Sequence, residues 1–298
     1  MPLTYTQRRN LYGDLTGDTS IKNLTLGDTL MDTIEKMILS MRDFSFLIDE
    51  FTITTSANQS LYNINASLKK LTNVYALNGN IKHDIKIVQS QDIWHKITSL
   101  ITSTQLIPEY CRLKGRQIEF YPKPSGIITI YIQGKKKHVK LSKPDYTTGN
   151  IVSVSNGGTT ITGSGTNWNS SMVGMYISIQ KDNTPTSGDG KWYYISTVNS
   201  PTSLTIREPY EGATISLASQ PYTIGELSLL PEDFDWLPVY KAVSIYYASI
   251  YKEPTLSKMY NELFIESLHL LLSEYSTDDT NPDLEDDDIA RFDNIIVN

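Results

Sequence analysis

The chain has 298 residues, 39% apolar and 20% charged, with a formal net charge of −7, a composition of folded globular proteins and a length that allows more than one structural unit. No run of 18 or more apolar residues is present, which excludes a membrane-spanning helix, and Cys111 as the single cysteine excludes an intrachain disulfide and a cysteine-rich metal site. The acidity is local: residues 274–293 carry nine carboxylates against Arg291 alone, which leaves 25 basic and 24 acidic residues in the remainder.

The opening MPLTYTQRRN does not have the apolar core of a signal peptide, so a cytoplasmic origin is expected. Residues 1–24 read as polar and irregular, with Thr4, Tyr5, Leu11 and Tyr12 as anchors. The first predicted helix runs from about Leu26 to Arg42, where Leu30, Ile34, Met37, Ile38 and Met41 form one apolar stripe. The period then changes to two: FTITTS, SLYNI, NVYAL and IKHDIKIV alternate as half-buried strands do. A shorter helix is expected near Gln91 to Ile101, and IEFYPKPSGIITIYI is expected to form a hairpin turned at Ser125-Gly126.

Residues 146–226 read as a small all-β module. Short strands there are cut by Asn156-Gly157-Gly158, Gly163-Ser164-Gly165 and Gly188-Asp189-Gly190, and glycine supplies the positive φ that tight hairpins need. Helical periodicity returns in residues 227–275. Val239, Val243, Tyr246, Tyr247 and Ile250 make one stripe, and Leu256, Tyr260, Leu263, Phe264, Leu268, Leu271 and Tyr275 make another, with Pro254 between them. The expected fold is α+β: an antiparallel helical bundle with flanking β-hairpins, a barrel-like all-β insertion and an extended C-terminal tail. Its divisions are 1–145, 146–226, 227–275 and 276–298.

Catalytic signatures are lacking. His83, His95, His138 and His269 show no HxH, HxxxH or HExxH spacing, and GSG at 163–165 is followed by no GK[ST]. The acidic tail lacks the glycine-centred frame of a calcium loop. Glu232, Asp233 and Asp235 cluster at a helix start, where acids ordinarily cap. No enzymatic activity, cofactor or metal is expected.

Two charged segments suggest binding instead. Lys135, Lys136, Lys137, His138, Lys140 and Lys143 form the densest basic run, suited to nonspecific DNA contact or to another subunit. At the C-terminus, Asp286, Asp287 and Asp288 precede Ile289, Phe292, Ile295, Ile296 and Val297; these apolar side chains would be buried on a partner or on the chain's own body. Nineteen tyrosines against seven phenylalanines also suit a half-wet interface. Trp168, Trp192, Tyr193 and Tyr194 offer a platform for sugars, with Trp168 and Trp192 expected to divide between core and rim.

The order of these pieces resembles the head-to-tail adaptor proteins of tailed bacteriophages, especially short-tailed ones. The resemblance is carried by LTYTQRRNLYGDLTGDTSIKNLTLGDTLMDTIEKMI, FTITTSANQSLYNI, PEYCRLKGRQIEFYPKPSGIITIYI, the inserted TTITGSGTNW and the return at LPEDFDWLPVYKAVSIYYA. It implies a structural virion protein at the head–tail junction, ringed in about twelve copies below a portal and assembled in the host cytoplasm. Genomic DNA would pass through the ring without sequence-specific binding. The C-terminal segment would reach the portal, and downstream tail or nozzle proteins, and fibres, would be further partners. The alternative is a tail- or fibre-associated β module that binds a glycan or another tail protein.

Overall fold

The computed structural model describes residues 2–64, 68–100, 104–182, 187–216, 219–276 and Phe292. The chain forms two compact units, one from residues up to Ile38 and Lys140–Leu271 with Phe292, the other from Leu39–Val139 and the chain from Leu272.

The opening residues are helical, contrary to the irregular segment expected. Helix α1 (Tyr5–Thr16) begins in a capping box, in which Gln7 N–H donates to Thr4 Oγ1 at 3.2 Å and Thr4 N–H donates to Gln7 Oε1 at 3.0 Å. It ends at Gly17, whose φ of 66° lets the chain turn out of the helix. Helix α2 (Ile21–Met41) buries Leu30, Ile34, Ile38 and Met41. Gly27 lies under the Tyr12 ring; a Cβ there would stand 2.4 Å from it.

In the second unit the period-two segments become strands. They are β1 (Ile48–Thr54), β2 (Leu61–Asn63), β3 (Leu68–Asn78), β4 (Ile81–Asp84), β5 (Lys86–Ile87), β6 (Tyr110–Lys114), β7 (Gln117–Tyr121) and β8 (Thr129–Lys136), with helix α3 (Gln91–Leu100) after β5. One four-stranded sheet has the order β1-β8-β3-β4 and the other β2-β7-β6-β5. Their inner residues, among them Ile53, Val74, Ala76, Ile118, Phe120, Ile130 and Ile132, share one core. The hairpin expected at Ser125-Gly126 does not form. β7 pairs with β6 and β2, β8 pairs with β1 and β3, and the tight hairpin is β6–β7, turned through Gly115 at φ 64°. Residues 122–128 therefore carry the chain from one sheet to the other.

The β module lies in the first unit. Strands β9 (Asn150–Ser153), β10 (Thr160–Ser164), β11 (Tyr176–Ile179), β12 (Trp192–Ser200), β13 (Ser203–Ile206) and β14 (Tyr222–Gly225) make a curled half-barrel of order β14-β11-β12-β13-β10-β9. Its core includes Ile151, Ile161, Trp168, Ile177, Ile195, Leu204, Tyr210 and Ile224. The indole N–H of Trp168 donates to Tyr222 Oη at 2.9 Å, and that hydroxyl donates to the Thr148 carbonyl at 2.6 Å.

Helices α4 (Leu237–Ser249) and α5 (Pro254–Tyr275) complete the first unit's described elements. The expected antiparallel helical bundle is not the core of this protein. Among the described residues the molecule is mostly β, with three sheets and five helices. A bundle helix buries one stripe, whereas α4 buries ten residues, from Leu237 round through Lys241 and Ser244 to Tyr247. The covering comes partly from outside the expected helix pair. Tyr12 of α1 meets Tyr246 edge-on at 6.4 Å, and Tyr247 Oη donates to the Leu15 carbonyl at 2.9 Å. Apolar periodicity identified the helices, but it does not specify what packs against them.

Candidate functional site

The C-terminal helix pair forms a groove of about 610 Å³ lined by Lys241, Ser244, Ser257, Lys258 and Asn261, with Phe292 at its edge. Lys241 is buried, donates to Asn261 Oδ1 at 2.8 Å and stands 5.7 Å from the centre of the Phe264 ring. Phe292 is 1% exposed and meets Phe264 edge-to-face, with ring centroids 5.0 Å apart. Of the apolar and acidic tail residues expected to meet a portal, Phe292 is thus seated on its own chain. Asp286, Asp287, Asp288, Ile289, Ile295, Ile296 and Val297 lie outside the described residues.

The basic run is divided. Lys135 is buried in the second unit, donating to the Arg42 carbonyl at 2.9 Å and to Asp43 Oδ1 at 2.8 Å. That hydrogen bond holds the Asp43 carboxyl below the usual carboxylate range. Lys136 is half-buried and Lys137 exposed in the same unit. Lys140, also exposed, belongs to the first unit, as does Lys143, which donates to the Ser171 carbonyl at 2.6 Å. Strand alternation along β8 does not account for the difference between neighbours: Lys135 shares the face of the half-buried Tyr131 and Gln133, and it is the Arg42 carbonyl and Asp43 that take it out of solvent.

A second basic cluster was not legible as one in the sequence. Lys69 and Lys70 on β3, Arg112 and Lys114 on β6, and Gln89, Ser90 and Gln91 leading into α3 line a cleft of about 460 Å³ in the second unit. Arg112 is held in place there. Its Nε and Nη2 reach Glu119 Oε2 at 2.7 Å, its Nη1 donates to Gln91 Oε1 at 2.7 Å, and its guanidinium lies 4.6 Å from the Trp94 ring centre. Lys69, Lys70 and Lys114 are exposed.

On the half-barrel, Trp168 is buried at 2% exposure, while Trp192 is half-buried beside Tyr176 and Tyr194. The register pairs Tyr176 with Tyr194 and Ser178 with Trp192, which places the three aromatics on the outward face of β11 and β12. The Arg207 guanidinium covers the Tyr194 ring at 4.1 Å.

The acids at the start of the return segment are structural. Glu232 and Asp233 lie on a 3-10 turn, while Asp235 is 1% exposed and accepts the Leu3 N–H. Its burial raises the carboxyl above its ordinary value, against the lowering effect of that bond. Burial likewise pushes the Cys111 thiol up to about 12, away from nucleophilic use. Among the described residues no group of three or more His, Cys, Asp or Glu side chains gathers as metal ligands would. No protein-family model matches the sequence, and no curated protein matches it significantly.

Proposed function

We propose that this chain is a structural virion protein, a head-to-tail adaptor that rings below a portal, joins capsid to tail and lines part of the DNA channel. One observation supports this reading above the others: two of the segments that carry the resemblance, the opening and the return, are built onto each other. Leu3 N–H donates to Asp235, Tyr5 N–H donates to the Glu226 carbonyl at 3.1 Å, and Tyr247 closes onto Leu15. Both ends of the half-barrel segment meet this junction, Asp145 accepting from Thr4 Oγ1 at 2.6 Å and the Glu226 carbonyl from Tyr5 N–H, within one compact unit. Portal docking is assigned to the C-terminal segment, with Ile289 and Ile295 to Val297 as anchors and the aspartates as steering charge. Phe292 would have to leave its seat on Phe264 to serve there.

The test is the mass of the full chain in solution, alone and mixed with the portal protein. A closed ring of about twelve copies on the portal is expected; a monomer indifferent to the portal overturns the proposal. Removing 293–298 should weaken portal capture while leaving the fold intact. The outward cluster of Tyr176, Trp192 and Tyr194 favours a second reading, a glycan- or tail-protein-binding module. That reading requires W192F to abolish binding in a glycan screen.

A further inference from the structure

We infer that the cleft between β3, β6 and the start of α3 binds the phosphodiester backbone of double-stranded nucleic acid without reading its sequence. This inference is carried by charge and shape in the second unit and stands whether or not the chain forms a ring. Residues 39–139 hold thirteen Lys and Arg against seven Asp and Glu, a local charge of +6 within a chain of net −7. Leu272–Asp283, in the same unit, adds Glu274, Asp278, Asp279 and Asp283 and brings the unit to +2, so the attraction toward polyanions belongs to residues 39–139 and their cleft.

The cleft concentrates that charge. Lys69, Lys70 and Lys114 reach it from two sheets, and no described carboxylate lies within ion-pair distance of Lys69 or Lys70. The nearest acid on the wall, Glu119, is already claimed by Arg112 and stands 3.9 Å from Lys114 Nζ. Asp92, exposed on the first turn of α3, is a further carboxylate, and Asp43, held by Lys135, also interacts electrostatically with Lys70 and Lys69. Gln89, Ser90 and Gln91 add neutral donors beside the lysines. Flexible ammonium groups with adjacent amide and hydroxyl donors are the usual partners of phosphate oxygens, and they position a backbone without distinguishing bases.

The same lining argues against other polyanions. An acidic peptide needs an apolar pocket for an anchoring side chain, but Leu71 is buried, Ile87 and Val88 are half-buried, and Leu113 is the exposed aliphatic side chain of the lining. Single strands need aromatic faces for base stacking, and the aromatic ring beside this cleft, Trp94, is 3% exposed and covered by Arg112. What remains suits a stacked duplex presenting only phosphates.

The experiment uses the full chain and fluorescein-labelled DNA duplexes of two unrelated sequences, followed by anisotropy across a salt series. The parent should bind both alike, with an affinity that falls steeply with salt. K69Q/K70Q/K114Q should weaken binding to both duplexes by about tenfold or more at low salt and reduce the log–log salt slope by roughly three, about one per lost phosphate contact. K22Q, at an exposed position on α2, should change neither. A triple variant with unchanged affinity and slope overturns the inference, and so does polyglutamate displacing the duplex at equal charge. The mass of the same variant with the portal separates the two proposals. A ring whose DNA binding ignores the three lysines refutes the cleft alone, and lysine-dependent binding by a chain that never rings refutes the adaptor alone.

Discussion

Replacing Glu35 by alanine removes the acidic half of an ion pair in which both side chains are almost wholly inaccessible. Arg8 Nη1 lies 2.6 Å from Glu35 Oε2, with side-chain exposures of 4% and 2%, and Ser228 Oγ donates to Glu35 Oε1 at 2.9 Å. The carboxylate thus ties α1, α2 and the return segment together. Breaking a buried pair from one side strands the other charge and costs about 3–5 kcal/mol. With a urea m-value of about 2 kcal/mol/M, the unfolding midpoint should fall by roughly 1.5–2.5 M. S228A removes one charge-assisted bond and should cost about 1.5–3 kcal/mol. R8M/E35M should recover most of the loss, since apolar groups of similar volume need no counter-ion. Urea melts of the four proteins decide it. If E35A lies within about 1 kcal/mol of the parent, or the double variant is as unstable as the single, the pair is not what holds these three segments.

Three further outcomes follow from local geometry. Gly27→Ala lies within α2, where alanine ordinarily gains about 1 kcal/mol over glycine, but the new methyl would meet the Tyr12 ring; a net loss of about 1–3 kcal/mol in a urea melt is expected, and a gain would refute the close approach. Burial, ahead of the opposing effects of the Tyr5 hydroxyl and Arg9, raises the Asp28 carboxyl above its ordinary 3.8, so the folded chain binds this proton more tightly than the unfolded chain. Its stabilising effect is present below that pH and lost as pH rises through the folded pKa. The midpoint of D28N minus that of the parent should therefore grow from pH 4 upward and then level, and a flat or shrinking difference contradicts the assignment. Trp168→Phe deletes the bond to Tyr222 and part of the half-barrel core; it should cost about 2–4 kcal/mol and reduce the blue-shifted tryptophan emission, leaving the share of buried Trp94 beside that of half-buried Trp192 and Trp236.

The strands of residues 48–136 were readable because alternating burial imposes a period of two on the side chains. Their partners were not, because period says nothing of neighbours. Glu119 to Tyr121 and Thr129 to Tyr131 both read as strands, and turn residues stand between them, yet each pairs in a different sheet. Helix α1 was missed for a related reason. Its buried residues are Arg8, Tyr12, Gly13 and Thr16, hardly an apolar stripe, and the visible signal was the Thr4 to Gln7 capping spacing. At the binding surfaces, the run at Lys135 is conspicuous in sequence but partly buried. Lys69, Lys70 and Lys114 become neighbours only when β3 and β6 are in place.

The junction between the opening and the return segments also sets an order of events during synthesis. Leu3 meets Asp235 and Leu15 meets Tyr247, each across 232 positions. At 5–20 residues per second, the ribosome takes roughly 12–46 s to supply the second partner after making the first. The intervening β structure, with one core for the two four-stranded sheets and another for the half-barrel, can fold in that interval, while α1 can pair with α2 through Arg8 and Glu35 but waits for Tyr246 to meet Tyr12. Helix α1 is thus made well before the elements that cover it and is among the last to be buried, which exposes the nascent chain to capture by chaperones or by other copies until α4 emerges.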